Sequence, residues 1–311
     1  MAERFYYGGQ AVVDGVMMRG RKVAVTAVRR PNGGLAINTQ PLPGFYTDRM
    51  RKALFVRGVI VLIEALVLGI KSLIFSANVS LEDEEEEISG GWLWVMVAVA
   101  LVFAVVLFFI VPLFLTRLLN ISSSVVFNLV DGAIRVAILI AYLKLMTLLP
   151  DIKRTFAYHG AEHTVVNAYE SGVPIELEAV RGYSKAHVRC GTSFMFVVII
   201  ISIFVFAITG LHTAWMMVLS RIVLIPVIAA LSYEAIYFGA RHTSNGLVRA
   251  MLAPGLWLQS LTTREPDDSQ LEVAITALEK VIETEEKKAE ETGETGQENN
   301  TEQTEEVQPS P

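Results

Sequence analysis

The sequence predicts a polytopic α-helical membrane protein, with four spans, one further interfacial or re-entrant hydrophobic segment, and a small β-rich cytoplasmic domain at its N-terminal end. Three observations carry this. Hydrophobic residues make up 52% of the 311 and charged residues 19%, against about 25% charged in soluble domains. Several apolar runs are long enough to cross a bilayer. Charge is sharply segregated, so the net of −6 hides a basic N-terminal region and an acidic C-terminal one. One cysteine excludes an intrachain disulfide.

Residues 1–57 form the basic domain. No apolar core follows the first charges, so they do not read as a secretory signal. Gly8, Gly9 and Gly15 read as turn residues. Lys22–Val28 is a β-branched run of strand length, Arg30–Gly34 is a turn signal, and Leu35–Asn38 returns as the partner strand. The nearby bases can hold anionic lipid head groups, although ordinary positive-inside charge explains them more simply. No glycine-rich phosphate loop and no nucleic-acid-binding platform is present, so nucleotide and nucleic-acid partners are not expected.

Residues 58–79 are apolar but interrupted by Glu64 and Lys71. A lone carboxylate in lipid is costly unless paired, protonated or facing protein; the stretch could span, but the distribution of bases between loops favours an interfacial or re-entrant segment. An acidic linker, 80–90, separates it from a helical membrane domain, 91–263. The spans are expected at 91–115, 125–149, 192–210 and 214–239, with Trp92 and Trp94 at an interface. Asp131 and Arg135, four apart, share a helical face and are expected to pair against protein. A polar loop, 150–190, joins the second and third spans.

Residues 264–283 read as an amphipathic helix. Its start is a Ser269–Glu272 capping box, and its apolar face is Leu271, Ala274, Ile275, Leu278, Val281 and Ile282. Residues 284–311 are acidic without an apolar face and are expected to be disordered. Four spans put both termini and the 150–190 loop on one side. Their bases make that side the cytoplasm.

The candidate chemistry lies in Tyr158–Glu170, which contains His159-Gly160-Ala161-Glu162-His163, an H-x-x-E-H pattern. On a helix, two histidines four apart reach one metal, and the glutamate beside them is placed to activate a bound water. Likeness to inverted-motif zinc peptidases puts a third ligand well downstream, where Glu234 stands. A rival set is His187 and Cys190, which with His159 and His163 would supply the four ligands of a closed structural zinc site. In the four-span arrangement these residues and His242 gather at one membrane face, four of the five histidines with the only cysteine. The competing structural reading is a polar network in which Glu162 pairs Arg154 or Arg189, Gly160 marks close helix packing, and Cys190 is a small buried residue. His212 is assigned no role.

Four motifs in order, "GGQAVVDGVMMRG", "YHGAEHTVVNAYE", "HVRCGTSF" and "EPDDSQLEVAI", resemble the bacterial family of uncharacterised membrane proteins that includes YqhQ of Bacillus. Asp14 stands where that family commonly has Glu, and Thr164 where it often has Lys. The resemblance implies a bacterial inner (cell) membrane location and no established activity. Three functions remain open. The first-ranked is a membrane scaffold or assembly protein with unidentified membrane partners. The second is a zinc-dependent hydrolase with Glu162 as base. The third is a small-solute transporter or channel along Asp131, Arg135 and Arg221, against which the lack of an inverted repeat counts.

Overall fold

The structure, a computed structural model, describes residues 7–42, 56–82, 90–209 and 213–292. The N-terminal region is an antiparallel meander of four strands in chain order: β1 (Gly8–Val12), β2 (Gly15–Arg19), β3 (Val23–Arg29) and β4 (Leu35–Pro41). The β3–β4 hairpin closes through Arg30–Gly34, with Gly33 at φ 87°. The glycines expected in turns lie in strands instead. The β1–β2 turn is made by Val13 and Asp14, the latter at φ 51°. Gly15 is a glycine because a β-carbon there would strike the Ala27 carbonyl oxygen.

β3 is buried along nearly its whole length because the sheet is covered on both faces. That is why it reads as a continuous apolar run and not as an alternation. On one face Val16, Met18, Val23 and Val25 pack against Tyr158, Ala161 and Val165 of α5 (Pro150–Glu170) and Leu271, Ala274 and Leu278 of α11 (Asp268–Thr292). On the other face the cover is α1 (Val56–Ser80). Its Leu68 meets Met17, Ala24 and Leu42, and its Val79 meets Val12, Val28 and Ala36. Two polar contacts pin α1 to the sheet: Arg19 Nε to Glu64 Oε1 at 2.6 Å, and Thr26 Oγ1 with Ser72 Oγ at 2.9 Å. The carboxylate that interrupts the 58–79 segment is thus buried against protein.

Among the described residues, four helices are long and apolar enough to cross a membrane: Val56–Ser80, Trp94–Leu118, Ser124–Met146 and Gly191–Ile208. A further candidate is the pair Trp215–Val223 and Ile225–Arg241, bent by 46° at Leu224. Within the second, α2 (Gly90–Val105) runs through a π-helical turn, Val106–Ile110, into α3 (Val111–Leu118). α4 (Ser124–Met146) packs on α7 (Gly191–Thr209), and α7 on α9 (Ile225–Arg241) and α10 (Gly246–Gln259). Pro226, in the first turn of α9, follows the break with α8 (Ala214–Val223). Proline is tolerated there because first-turn N–H groups have no intrahelical acceptor. The expected Asp131–Arg135 pair is present at 2.7 Å, both residues buried.

The cap of α11 lies two residues earlier than the sequence suggests. The reciprocal cap is Asp267–Gln270: Gln270 N donates to Asp267 Oδ1 at 2.9 Å, and Asp267 N to Gln270 Oε1 at 3.0 Å. Glu272, expected to close the box, instead accepts from Arg29 Nη2 at 2.6 Å. The helix runs on to Thr292, past the expected end of its apolar face. Lys22 N donates to Glu285 at 2.7 Å, which ties that extension to the sheet. His212 and the tail from 293 lie outside the described residues.

A candidate metal centre between sheet and helices

α5 starts at Pro150 with Asp151 in its first turn, both favourable at a helix N-terminus. Its buried face carries Tyr158, Ala161 and Val165 onto the sheet and α11. This fixes the side on which His159 and His163 emerge. His159 Nδ1 lies 2.9 Å from the Thr262 carbonyl, and His163 Nδ1 lies 2.7 Å from the Lys185 carbonyl. A carbonyl only accepts, so both rings carry a proton on Nδ1 and turn Nε2 towards the cluster as the atom that could bind a metal. Metal-binding histidines are oriented by this kind of outer hydrogen bond.

Both Nε2 atoms face Cys190, which ends the loop before α7. Its Sγ lies 3.2 Å from His159 Nε2 and accepts from Thr192 N at 3.4 Å. The ligand atoms of His159, His163 and Cys190 all lie within 4.8 Å of one another. A tetrahedral zinc with bonds of about 2.0–2.3 Å spaces its ligands by roughly 3.5 Å, so modest side-chain movement closes the set. Burial alone would lower the His163 pKa, but the Glu162 carboxylate and the Cys190 sulfur outweigh it and push it up to about 9. Burial would raise the Cys190 pKa, but His159 and His163 hold it well below the usual thiol range. The cluster therefore favours a thiolate, the form that binds metal, beside an imidazolium at His163 whose Nε2 proton a metal must displace.

Glu162 is buried at 4% exposure, with Oε2 3.3 Å from His163 Nε2. Neither basic partner that sequence offered it takes that place. Arg154 binds Asp14 at 2.6 Å, and Arg189 binds Glu170. Gly9 explains how Glu162 fits, since a β-carbon there would stand 2.9 Å from Glu162 Cγ. Gly160 serves a similar purpose. A β-carbon would collide with the Arg264 carbonyl oxygen, and Arg264 N donates to Phe156 O at 2.9 Å. The turn and irregular segment that supply the Thr262 carbonyl are thus laid directly on α5.

The other proposed ligands stand elsewhere. His187 is buried one layer out, its ring centroid 5.5 Å from that of His163. Its Nε2 lies 3.3 Å from Arg189 Nη2 and 3.8 Å from Glu170 Oε2. Glu234 is not in the cluster. Its position on α9 turns it to α1, where Arg57 grips it through both Nε (2.7 Å) and Nη2. The membrane-embedded carboxylate does need a partner, but the partner is a cation. His242 is exposed and lies 2.8 Å from the Phe238 carbonyl.

Sequence reasoning missed Gln259. Buried at the end of α10, it brackets the His187 backbone, accepting from its N–H and donating to its carbonyl, both at 2.9 Å. It thereby fixes the loop that presents the Lys185 carbonyl and Cys190. A glutamine closing the apolar run Ala250–Leu258 was the available signal. The cluster borders a cavity of about 210 Å³, roofed by β1, β2 and α1 and lined by Gln10, Arg19 and Glu64 as well as Glu162.

These features define a multi-pass membrane protein with a candidate His-His-Cys metal cluster beside a buried carboxylate. Residues 54–284 match the family model described as "Protein of unknown function (DUF1385)". The chain is 36% identical over 294 residues to "Uncharacterized protein YqhQ" of Bacillus subtilis (strain 168), covering 89% of this chain and 92% of that one. The chain belongs to this family. No solved structure matches it.

Proposed function

We propose that this protein is a metal-dependent hydrolase of the membrane's cytoplasmic face, with His159, His163 and Cys190 as ligands, zinc as the metal and Glu162 as the base that activates a bound water. One observation carries the reading: three oriented ligands meet beside a buried carboxylate at a cavity. A structural zinc site takes four protein ligands, whereas a catalytic one keeps a position for water. Sequence alone ranked a scaffold first. Three ligands in place of four shift the preference towards hydrolysis. The scaffold remains the second reading, because the cluster also joins α5 to the loop before α7.

The cytoplasmic assignment rests on parity and charge. The sheet, α5 and α11 share one core, so residues 7–42, 150–170 and 268–292 lie on the same side. An even number of crossings must then separate 42 from 150, and again 170 from 268. α2–α3 and α4 make the first pair, and α7 with the bent α8–α9 makes the second. α1, seated on the sheet through Glu64, Leu68, Ser72 and Val79, is left as an interfacial helix. Its Leu62, Ile63, Leu66 and Leu73 are exposed and would form the apolar face that such a helix lays on the bilayer. With the positive-inside rule this gives a bacterial inner-membrane protein with both termini cytoplasmic. The N-terminal bases bind internal acids, Arg19 to Glu64, Arg29 to Glu272 and Arg57 to Glu234, which leaves little role for anionic lipid at those positions.

The test begins with elemental analysis of the purified protein beside a His159→Ala, His163→Ala double variant. About one zinc per chain, lost in the variant, is expected. Cobalt substitution then separates the two readings. A small added anion shifts the cobalt absorption bands if a ligand position is open and leaves them unchanged if the site is closed. Glu162→Gln should keep the metal and lose hydrolysis of ester and peptide probes. Full turnover in that variant excludes Glu162 as the base.

A further inference from the structure

The second polar cluster lies inside the spanning helices, away from the candidate metal centre. Asp131 and Arg135 of α4 and Arg221 of α8 are each 2% exposed. Both guanidinium groups meet one carboxylate oxygen. Arg135 Nη2 donates to Asp131 Oδ2 at 2.7 Å, and Arg221 Nη2 lies 3.2 Å from the same atom. Arg135 Nη1 donates to Ser202 Oγ at 2.9 Å, and Arg221 Nη1 reaches the Met217 carbonyl at 3.5 Å. Among the described residues, Arg135 Nε, Arg221 Nε and Nη2, and Asp131 Oδ1 have no hydrogen-bond partner.

An arginine does not release its proton in a protein. Two guanidiniums with one carboxylate therefore leave a fixed excess of one positive charge in a low-dielectric interior, which is strongly unfavourable. The carbonyl end of α8 offers about half a negative charge and does not cancel it. The Phe206 ring lies 4.7 Å from Arg221 and 5.8 Å from Arg135, and Phe109, in the π-helical turn, lies 5.1 Å from Arg135. Such ring contacts are weaker than the desolvation they would have to offset. Water can bridge the unmet atoms but brings no charge.

We propose that a small monovalent anion of the chloride class binds between Arg135 and Arg221, accepting their unmet N–H groups. Phe109, Phe206 and Ser202 already contact the two guanidiniums, so the anion must be small. The anion ties α8 to α4 and so stabilises the break at Leu224.

The test uses the full chain in detergent, unfolded thermally and followed by tryptophan fluorescence in chloride or gluconate at equal ionic strength. Chloride is expected to raise the wild-type Tm by about 2–5 °C with a saturating dependence. Arg221→Leu removes the excess charge and should abolish the difference. Asp131→Asn enlarges the excess and should steepen it. The His159→Ala, His163→Ala variant should respond like wild type, which excludes chloride acting at the metal ligands. Should Arg221→Leu not fold, chloride-NMR line broadening by wild type, relieved by competing bromide, gives the same information. Equal Tm values in both salts, or a chloride effect unchanged in Asp131→Asn, would overturn the proposal.

Discussion

At the His159–His163–Cys190 cluster each imidazole Nδ1 already meets a backbone carbonyl, and a cavity lies alongside. At the Asp131–Arg135–Arg221 cluster the charges do not balance and several buried N–H groups are unmet. The first is held by backbone carbonyls from two separate segments, so both imidazoles are oriented before any metal binds. The second is held mainly by side chains, drawn from α4, α7 and α8. The contrast teaches that polar groups in this molecule are prepared for different ligands: lone pairs for a cation in the extramembrane module, N–H donors for an anion within the membrane.

The largest expected effect comes from attacking the backbone that orients the metal ligands. Gly160→Ala places a methyl group on the Arg264 carbonyl oxygen. Neither partner is a flexible side chain, so α5 and the segment bearing Thr262 must separate. A destabilisation of about 3 kcal/mol is expected, at the upper end for overpacking, with a roughly 10–100-fold loss of metal affinity as the His159 bond is disturbed. Chemical denaturation and a competitive metal titration measure the two. Unchanged affinity would mean that the carbonyl does not orient the ring.

A smaller effect is expected at the cavity roof. Glu64→Gln weakens the buried tie between α1 and β2, worth about 2–3 kcal/mol given that Arg19 retains some exposure. Metal content should be unaffected, because Glu64 is not a ligand. The same variant sharpens the placement of α1. A helix seated on the sheet should become more accessible to protease or to a membrane-impermeant label when the tie is broken, whereas one embedded across the bilayer should not.

The two clusters were unequally legible in the sequence. Helical periodicity brought His159 and His163 together, and Asp131 with Arg135, because residues four apart share a face whatever surrounds them. Cys190 was legible only as one of several candidates, since its approach depends on how the loop folds against α10. Glu234 was misassigned for a physical reason. A buried carboxylate announces that it needs a cation but does not say whether a metal or an arginine supplies it, and Arg57 is far away in sequence. The glycines misled similarly. Gly9 and Gly15 are required by close approach of other atoms, which composition cannot distinguish from turn chemistry. Asp267 was overlooked as the cap of α11 because Ser269 fits the same pattern two residues later. Asp267→Ala is expected to cost about 1 kcal/mol and Ser269→Ala much less, by thermal or chemical unfolding.

The smallest effect separates the metal cluster from an ordinary ion pair. Arg57 and Glu234 balance in charge, and both side chains are partly exposed, at 18% and 16%. Arg57 also lies over the Tyr237 ring, 4.2 Å from its centroid. Glu234→Gln removes a charge from this pair but leaves a side chain that can still accept a hydrogen bond, and the guanidinium retains its aromatic contact. A loss of about 1 kcal/mol is expected, between the values for exposed and buried pairs. On the proposed reading, metal content should stay at the wild-type level, because His159, His163 and Cys190 come together without this residue. Loss of metal with stability preserved would restore Glu234 as a ligand and require α9 to move towards α5. Loss of stability with metal preserved would establish that the carboxylate serves only to hold α1 against α9.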